Sequence, residues 1–363
     1  MEDLSVETGE SWQALELPYA GTRELLISAE HVGPEAIGPA VEWLKQAHGA
    51  QVVAAQYFGP QLTADGTQRA QALIAEWPLT WVVGADGASQ LSGMHLRAVT
   101  NAAVQPLELD GRPVGYALTG PHAIEVRLDG LRAPDLSASP EAQATATFEQ
   151  MEAALGLVGM DFSHVARTWL YLDDILGWYG EFNRARTAFF TSRGVFDGLV
   201  PASTGIGGAN PEGAALVARV YAVKPLSPEV SVVAIPSPLQ CPALKYGSSF
   251  SRAVEVRLPG LRRVLVSGTA SIAPEGHTEH VGDLEGQIKL TCEVIAAILE
   301  SREMSWADVT RATAYVRAAE YAEAWERYRA AGELSELPVV TAHNVICRGD
   351  LLFEMEVDAE AAG

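Results

Sequence analysis

Residues 285–316 read EGQIKLTCEVIAAILESREMSWADVTRATAYV, and residues 141–172 read EAQATATFEQMEAALGLVGMDFSHVARTWLYL. The two stretches align without a gap at one constant offset, and the identical pairs include Gln143 with Gln287, Met160 with Met304, and Arg167 with Arg311. Identities spread over a helix-like, a turn-like and a strand-like part rarely share one register by chance. The chain therefore contains an internal repeat.

The later copy predicts the order of secondary structure. Residues 262–272 have the composition of a strand, and residues 309–317 alternate as a strand. Between them Asp283 can cap a helix, whose apolar stripe is Ile288, Cys292, Ile295 and Leu299. A second helix and a closing pair of strands follow. Each copy is thus predicted to be a β-α-β-α-β-β unit, an α+β layer of two helices on one sheet.

Four parts of the chain are predicted from these patterns. They are a divergent N-terminal α/β module over residues 1–112, a repeat over 113–224, a proline-rich linker over 225–244 and a repeat over 245–363. The N-terminal part allows a strand–helix–strand–helix order and could be a third, degenerate copy. We expect three modules to pack as a pseudo-trimer within one chain.

The composition limits the functions that the chain can have. A formal net charge of −21 repels phosphate backbones, so we expect no nucleic-acid partner. No apolar run is long enough to cross a membrane, and the acidic start of the sequence is unlike a targeting segment. Three cysteines without CxxC spacing indicate reduced thiols. We therefore expect a cytoplasmic protein.

The closing segment RGDLLFEMEV, residues 348–357, has an acidic face. On an extended strand Glu354 and Glu356 point to the same side. When the two repeats are aligned, Ala218 stands against Glu354 and Val220 against Glu356. Acids that meet solvent need not differ so sharply between copies, whereas a buried face that works in one copy would. We predict that Glu354 does chemistry and that Glu356 supports it or meets solvent.

Several motifs resemble a known superfamily. VLVSGTASI, GHTEHVGDLEGQ, DVTRATAYV and ICRGDLLFEMEVDA are similar to the YjgF/RidA (L-PSP endoribonuclease-like) superfamily. Its members have a chorismate mutase-like fold and form trimers with ligand sites between subunits. Over about residues 113–360, ARTWLYL, PASTGIGG, YGSSFSRA and the closing glutamate pair resemble the chorismatases, the FkbO-type chorismate hydrolases. Those enzymes fuse RidA-like modules and release pyruvate from chorismate.

The resemblance implies a cofactor-free enzyme that acts on a small carboxylate-bearing metabolite. In chorismatases the first glutamate of the closing pair protonates the enol ether, and the resemblance carries this role to Glu354. Carbon accepts protons slowly, so such an acid must be protonated near neutral pH, which burial and a second carboxylate favour. Cys347 matches the position that separates hydrolases from members forming 3-hydroxybenzoate. The implied products are pyruvate with 3-hydroxybenzoate or a dihydroxycyclohexadiene carboxylate.

Arginine side chains are the expected carboxylate ligands, because a guanidinium fork suits a carboxylate. The candidates are Arg348, Arg252, Arg167 and Arg311. Arg167, Arg311 and Tyr315 recur between the copies, so a structural role common to the unit is open for each. Gly205 lies in TGIGG, where close approach of the backbone to a ligand or a neighbouring module would require glycine.

A metal site is not predicted. His277, His280 and Asp283 could supply three ligands, but histidines three residues apart in a loop, without a cysteine pair, are weak evidence for zinc. Asp283 is better explained as a helix cap. The resemblance implies that His277 could instead line the substrate pocket, and a surface position is the alternative.

Two other functions remain open on the sequence. A RidA-type imine or enamine deaminase would hold the substrate carboxylate with an arginine on the strand before the closing one. Thr341 occupies that approximate place in the later copy and Thr204 in the earlier one, so simple RidA chemistry loses its arginine anchor. Both threonines are kept as candidate residues of the substrate site. A non-catalytic metabolite-binding protein is the other alternative, because YGSSFSRA lacks the longer YGPR segment of chorismatases and its arginine. The chain is expected to be a monomer or a homo-oligomer of pseudo-trimers.

Overall fold

The structure, a computed structural model, describes residues 6–9, 12–19, 22–60, 63–76, 78–85 and 91–363. Parts of the predicted N-terminal module, among them residues 1–5 and 86–90, lie outside the described residues. Within the described residues the chain forms three mixed sheets, each accompanied by two helices. We name each sheet with its helices module 1, module 2 and module 3, in chain order.

Module 1 contains the first six strands. Its elements are β1 (Val6–Gly9), β2 (Trp12–Tyr19), β3 (Thr22–Glu30), α1 (Ile37–His48), β4 (Gln51–Gly59), α2 (Ala64–Glu76), β5 (Leu79–Val83) and β6 (Gly93–Thr100). The order in the sheet is β1-β2-β3-β6-β4-β5, and β4 pairs with β5 in parallel. The strand–helix–strand–helix order that the sequence allows is present as β3, α1, β4 and α2.

Module 2 contains the next six strands and two helices. Its elements are β7 (Val104–Leu109), β8 (Arg112–Thr119), β9 (Ala123–Leu131), α3 (Pro140–Gly156), β10 (Val165–Leu172), α4 (Ile175–Ser192), β11 (Ala202–Gly207) and β12 (Leu216–Pro225). The sheet order is β11-β10-β12-β9-β8-β7, with β10 and β11 parallel. The helix α3 begins where the Ser139 hydroxyl accepts a hydrogen bond from the Ala142 backbone N–H.

Module 3 contains the remaining elements. They are β13 (Ser231–Ile235), β14 (Ala253–Leu258), β15 (Leu261–Ala270), α5 (Leu284–Glu300), β16 (Val309–Val316), α6 (Ala322–Ala330), β17 (Val339–His343), β18 (Val345–Ile346) and β19 (Phe353–Ala361). The sheet order is β13-β14-β15-β19-β16-β17, whereas β18 leaves its own module and pairs with β11 of module 2. Asp283 caps α5 by accepting from the Gly286 N–H at 3.1 Å, as predicted.

The three modules share one arrangement of strands. In each, a parallel pair (β4 with β5, β10 with β11, β16 with β17) stands beside an antiparallel closing strand (β6, β12 or β19). The predicted α+β fold of tandem β-α-β-α-β-β units is confirmed, and module 1 is the degenerate third copy. No helix among the described residues is long and apolar enough to span a membrane.

One aromatic ring from each module meets at a central axis. Phe58, Tyr171 and Tyr315 occupy equivalent positions on β4, β10 and β16, opposite the closing strand. The Phe58 ring lies 6.0 Å from Tyr171 and 5.9 Å from Tyr315, and the two tyrosine hydroxyls are 3.4 Å apart. The modules therefore pack as the predicted pseudo-trimer, and Tyr315 has the structural role left open for it.

A buried ionic cluster crosses the same axis at its other end. The guanidinium of Arg263, which is wholly buried, contacts Glu24 of module 1 and Glu125 of module 2, and its Nε lies 2.9 Å from Glu360. Burial alone would raise the pKa of Glu24, but Arg263 and Arg97 outweigh it and lower that pKa to about 2. These paired charges tie the three modules together.

The sheets divide the chain differently from the predicted boundaries at two places. Val104–Leu109, placed in the N-terminal module by the sequence, pairs with β8 of module 2 through a tight turn at Asp110 and Gly111. Both turn residues have positive φ, the Asp-Gly hairpin signal that sequence analysis overlooked. The proline-rich segment likewise contains β13, an edge strand of module 3, where flanking prolines are tolerated.

Replacing Arg263 with methionine should destabilise the fold by about 3–5 kcal/mol at pH 7, because it leaves buried carboxylates without their cation. Stranded carboxylates take up protons in the folded state, so the deficit should shrink as the pH falls towards 5. Urea unfolding at the two pH values measures both effects. Arg257→Met, which removes a half-exposed arginine paired with Glu255, should leave stability nearly unchanged, because solvent screens an exposed ion pair. An equal loss in the two variants would contradict the role of the cluster.

Candidate active site

A cavity of about 270 Å³ lies between module 2 and module 3. Side chains of α4 and β11 form one wall, and β15, β19 and the segments preceding β14 and β19 form the other. The residues that line it are Tyr179, Asn183, Arg186, Ser203, Gly205, Gly247, Ser248, Phe250, Arg252, Gly268, Ala270, Ile272, Cys347, Arg348, Leu351 and Glu354. The pairing of β18 with β11 carries the following residue, Cys347, against module 2.

Glu354 extends from β19 into this cavity, although its residue is only 4% exposed. The alternating face of β19 explains the burial, because Phe353, Met355 and Val357 point to the helices of module 3 while the acids point the other way. Opposite the carboxyl, β15 has a register irregularity between Val266 and Thr269. Gly268 lies in that irregularity, and a Cβ added to it would come within 2.1 Å of Glu354 Oε1. The missing side chain makes room for the carboxyl.

The Glu354 carboxyl has no hydrogen bond or ion pair to any of the residues that the structure describes. Burial raises its pKa to about 8, the charge of Glu356 contributes in the same direction, and Arg167 and Arg252 oppose the shift. Glu354 is therefore a carboxylic acid that keeps its proton at neutral pH and faces a cavity.

Glu356, two residues further along β19, has the opposite surroundings. Its carboxylate accepts hydrogen bonds from Arg167 Nη2 and Arg311 Nη2 at 2.8 Å each and from Trp169 Nε1 at 3.0 Å. The Thr204 hydroxyl also donates to it. Burial alone would raise the pKa of Glu356, but Arg311 and Arg167 outweigh burial and lower it. The solvent-facing alternative for Glu356 is wrong, because the side chain is wholly buried.

The repeat alignment that singled out Glu354 is shifted by one residue in the closing strand. Tyr171 pairs with Val217 and the equivalent Tyr315 pairs with Glu354, so Val217, not Ala218, corresponds to Glu354. The segments between the copies differ in length, which moves the register, and side chains of a strand change face with every residue. Val217 is apolar and buried, so the acid still occurs in one copy of this pair alone.

Three arginines line the cavity, two of them predicted. Arg348 Nη1 donates to the Gly276 carbonyl at 2.9 Å, and Arg252 Nε donates to the Cys241 carbonyl at 3.0 Å. Arg186, which the sequence analysis did not single out, donates to the side-chain oxygen of its neighbour Asn183 at 2.7 Å. A locally cationic wall in a chain of net charge −21 suits an anionic ligand.

Cys347 and Gly205 also line the cavity, as predicted. Tyr179 of α4 is hydrogen-bonded to the Cys347 thiol. Burial raises the pKa of Cys347 to about 12, and the neighbouring Glu354 contributes. A thiol with this pKa stays protonated at neutral pH, so it shapes the cavity and is a poor nucleophile.

The other predicted residues lie elsewhere. Thr204, Arg167 and Arg311 face the central axis behind Glu354, where they bind Glu356, and Tyr315 packs beside them. Thr341 lies between modules 3 and 1, where its N–H and hydroxyl donate to Glu30 at 3.0 and 2.8 Å. The sequence analysis expected these residues to bind substrate, and the structure corrects this, because none of them lines the cavity. The register of their strands points their side chains at other partners.

His277 is exposed and is not among the residues lining the cavity. Its backbone carbonyl accepts from the Ala273 N–H, which closes a surface turn. His277 is therefore a surface histidine, the second of the two positions that the sequence analysis left open. Among the described residues no group of three His, Cys, Asp or Glu side chains is arranged to hold a metal ion.

The residues that the sequence analysis missed come mainly from module 2. Tyr179, Asn183 and Arg186 are spaced i, i+4 and i+7, so they form one stripe of α4. That spacing was readable, but a polar stripe is also typical of a solvated helix face. Its position opposite Glu354 results from the packing of one module on another.

The comparisons with known proteins agree with this architecture. A chorismatase from Streptomyces rapamycinicus is 30% identical over 227 residues, which cover 55% of this chain and 65% of that protein. The crystal structure of a chorismatase matches with a TM-score of 0.65 and 21% identity over 85% of this chain and 92% of that one. In sequence and in fold, the chain is similar to chorismatases. No family model matches it.

The sequence match to the chorismatase is partial. The chain spans about 65% of the length of that curated protein, and the structural match establishes the chorismatase fold. The RidA protein of a Psychrobacter species matches 36% of this chain and 99% of its own with 18% identity and a TM-score of 0.31.

Gly268→Ala should displace the Glu354 carboxyl, because the new methyl group would lie far inside van der Waals distance of Oε1. We expect a loss of any Glu354-dependent activity of about 100-fold or more, in keeping with small misplacements of a catalytic group. Gly349→Ala, where an added Cβ meets nothing within 4 Å, is the matched control. Steady-state rates, with circular dichroism to verify folding, make the comparison. Full activity in Gly268→Ala would show that the carboxyl does not need this space.

Proposed function

We propose that the protein releases pyruvate from chorismate, or from a closely related enol ether, with Glu354 as the general acid. One observation carries the proposal: a buried carboxyl that forms no ion pair with any described residue, its pKa raised to about 8, faces a cavity with three arginines on its wall. The similarity to chorismatases in sequence and fold supports the same reaction class.

The first step is proton transfer to carbon. The Glu354 carboxylic acid gives its proton to the terminal methylene of the enol ether, and the electrons of the double bond form the new C–H bond. Positive charge develops on the ether carbon and is shared with the ether oxygen as an oxocarbenium ion. General acid catalysis of this kind contributes about 10²–10⁴-fold, provided that the acid is protonated before the reaction begins. The environment of Glu354 meets that condition up to about pH 8.

Water completes the reaction and restores the acid. A water molecule adds to the oxocarbenium carbon and gives one proton to the Glu354 carboxylate. The resulting hemiketal collapses, the ring oxygen leaves as a hydroxyl group, and the former ether carbon becomes the carbonyl of pyruvate. In the hydrolytic form one water is consumed and the second product is a dihydroxycyclohexadiene carboxylate. No cofactor is needed for these steps.

The arginines have a binding role in this proposal. Chorismate carries two carboxylates, and Arg348, Arg252 and Arg186 line the cavity from both modules. Guanidinium groups bind carboxylates with two hydrogen bonds and so fix their orientation. Arg186 is a candidate replacement for the arginine that YGSSFSRA lacks. Cys347, a neutral thiol beside Glu354, is a candidate for setting which product forms.

The deaminase alternative lacks the arginine that it would need, because threonines stand at the two approximate places. Thr341 donates both its N–H and its hydroxyl to Glu30, and Thr204 donates to Glu356. Neither is therefore available to hold a substrate carboxylate. A non-catalytic binding protein would use the same arginines, and turnover distinguishes it from an enzyme.

Purified protein should release pyruvate from chorismate, and Glu354→Gln should lower the rate by at least about 100-fold, because an amide cannot donate a proton to carbon. A lactate dehydrogenase-coupled assay measures pyruvate, and chromatography identifies the ring product. Glu275→Gln, at an exposed acid, is the control and should keep the wild-type rate. Stabilisation of the protein by chorismate without turnover would favour the binding alternative, and ammonia release from imino acids would favour the deaminase.

The Glu354 carboxyl should also make stability depend on pH. Its folded pKa of about 8 lies above the ordinary value of 4.5, so its stabilising protonation is fully present below pH 4.5 and is lost as the pH rises through 8. The stability of Glu354→Gln has no such dependence on pH, because glutamine does not titrate. Between pH 5 and 8 the free energy of unfolding of the variant should therefore rise by roughly 2–4 kcal/mol relative to that of the wild type, measured by urea unfolding. A difference that stays constant over this range would mean that Glu354 titrates normally.

A further inference from the structure

Two buried carboxyl groups lie on the same face of β19 and differ in their hydrogen bonds and ion pairs. Glu354 and Glu356 are on the same face, separated by about 7 Å along the strand. Glu356 is held by two guanidinium groups, an indole N–H and a hydroxyl, whereas Glu354 has none of these partners among the described residues. Neighbouring acids with such different surroundings are the usual basis for dividing acid and base roles in active sites.

The donors that hold Glu356 come from two modules. Arg167, Trp169 and Thr204 belong to module 2, and Arg311 belongs to module 3, as does Thr313, whose hydroxyl lies 3.3 Å from Glu356. Because these partners come from two sheets, they hold the buried carboxylate in place. Arg311 and Arg167 lower the pKa of Glu356, so it is a fixed negative charge two residues from Glu354 on the same strand face.

We propose that Glu356 is a positioning residue that keeps Glu354 in its acid form between turnovers. The inference rests on the proposed role of Glu354 and extends it to a residue that never touches the substrate. The two glutamates then act together: Glu354 transfers the proton, and Glu356 favours the return of a proton to Glu354.

Two electrostatic effects act in the same direction. The charge of Glu356 repels a second negative charge on Glu354, which disfavours ionisation at this short distance. Glu356 also neutralises Arg167 and Arg311, which lie within the same buried region. Without it, Arg167 would lose its ion pair and Arg311 would keep, among the described residues, only its ion pair with Asp358 at 3.5 Å, so the two cations would favour the ionised form of Glu354. Loss of the Glu356 carboxylate should therefore lower the pKa of Glu354 through both effects.

The pseudo-symmetry of the fold supports the assignment. In the three sheets, Gln56 pairs with His95, Trp169 with Arg219 and Thr313 with Glu356. His95, Arg219 and Glu356 therefore occupy equivalent positions on the three closing strands. Module 1 thus has a histidine and module 2 an arginine at the place of Glu356. The carboxylate occurs in the module that also carries Glu354.

Several other charged or titratable groups lie around Glu354, and some of them also affect its pKa. Arg167 of β10 and Arg252 before β14 favour its ionised form, whereas Glu356 disfavours it. The remaining charged or titratable groups around it are Cys347 and Arg348 before β19, Tyr179 and Arg186 of α4, and Tyr315 of β16. Burial keeps the pKa of Cys347 near 12 and raises that of Tyr179, so neither ionises below pH 9.

The test is a direct titration of Glu354 that needs no turnover. The infrared band of its protonated carboxyl, identified by its absence in Glu354→Gln, is followed against pH. The wild type should lose the band near pH 8. In Glu356→Gln the midpoint should fall by about one pH unit or more, because one pH unit is a modest change for a neighbouring buried charge. The alkaline limb of the pyruvate assay should move by the same amount.

Two variants separate charge from packing. Glu356→Asp keeps the negative charge and should hold the midpoint within about half a pH unit of the wild type, and Thr204→Val, which removes a neutral donor, should do the same. If Glu356→Gln does not fold, the double variant Glu356→Gln/Arg311→Gln removes one charge of each sign and should still lower the midpoint through unpaired Arg167.

The outcomes distinguish the two proposals. A wild-type midpoint near 8 that falls in Glu356→Gln supports the positioning role, even if no pyruvate is formed and the proposed reaction fails. An unchanged midpoint in Glu356→Gln overturns the positioning role and leaves Glu354 as the acid. An ordinary midpoint in the wild type overturns both.

Discussion

A carboxylate can stay charged away from water only where cations meet it, and this constraint organises the centre of the molecule. Three sheets turn one face each towards a common axis, so the polar side chains on those faces must find partners in other modules. Glu24 and Glu125 converge on Arg263 at one end, and Glu356 lies between Arg167 and Arg311 further along. Because each cluster draws on more than one module, the charges that stabilise the assembly also fix the modules in register. Glu354 is the acid that this pairing leaves out.

Repetition of one unit made three similar interfaces, and divergence specialised one of them. The strand pairing puts Gly93 of module 1, Val217 of module 2 and Glu354 of module 3 at equivalent positions. A Cβ added to Gly93 would lie 2.7 Å from a methyl group of Val340, so that interface is closed where the Glu354 interface opens. The cavity therefore depends on side-chain size at the ends of strands and does not require a different fold.

The fold could be predicted because its evidence is local. The helix cap at Asp283, the apolar stripe of α5 and the alternation of β19 each need a few consecutive residues, and the internal repeat shows that they form one unit. The burial of Glu354 was also predictable, even though the alignment behind it was one residue out of register. Thr341, His277 and the α4 stripe were not placed correctly or not found, because their partners are set by contacts between modules.

By itself the sequence determined the β-α-β-α-β-β unit, its repetition and the acidic face of the last strand, since hydrophobic periodicity and capping act over a few residues. Tertiary structure decided which acid stays charged. Glu356 and Glu354 are two residues apart and chemically identical, yet Arg167, 189 residues before Glu356 in the chain, forms a hydrogen bond with Glu356 and acts on Glu354 only through its charge. Their protonation differs because the electrostatic field at each carboxyl comes from the other modules, whose relative placement no local pattern records.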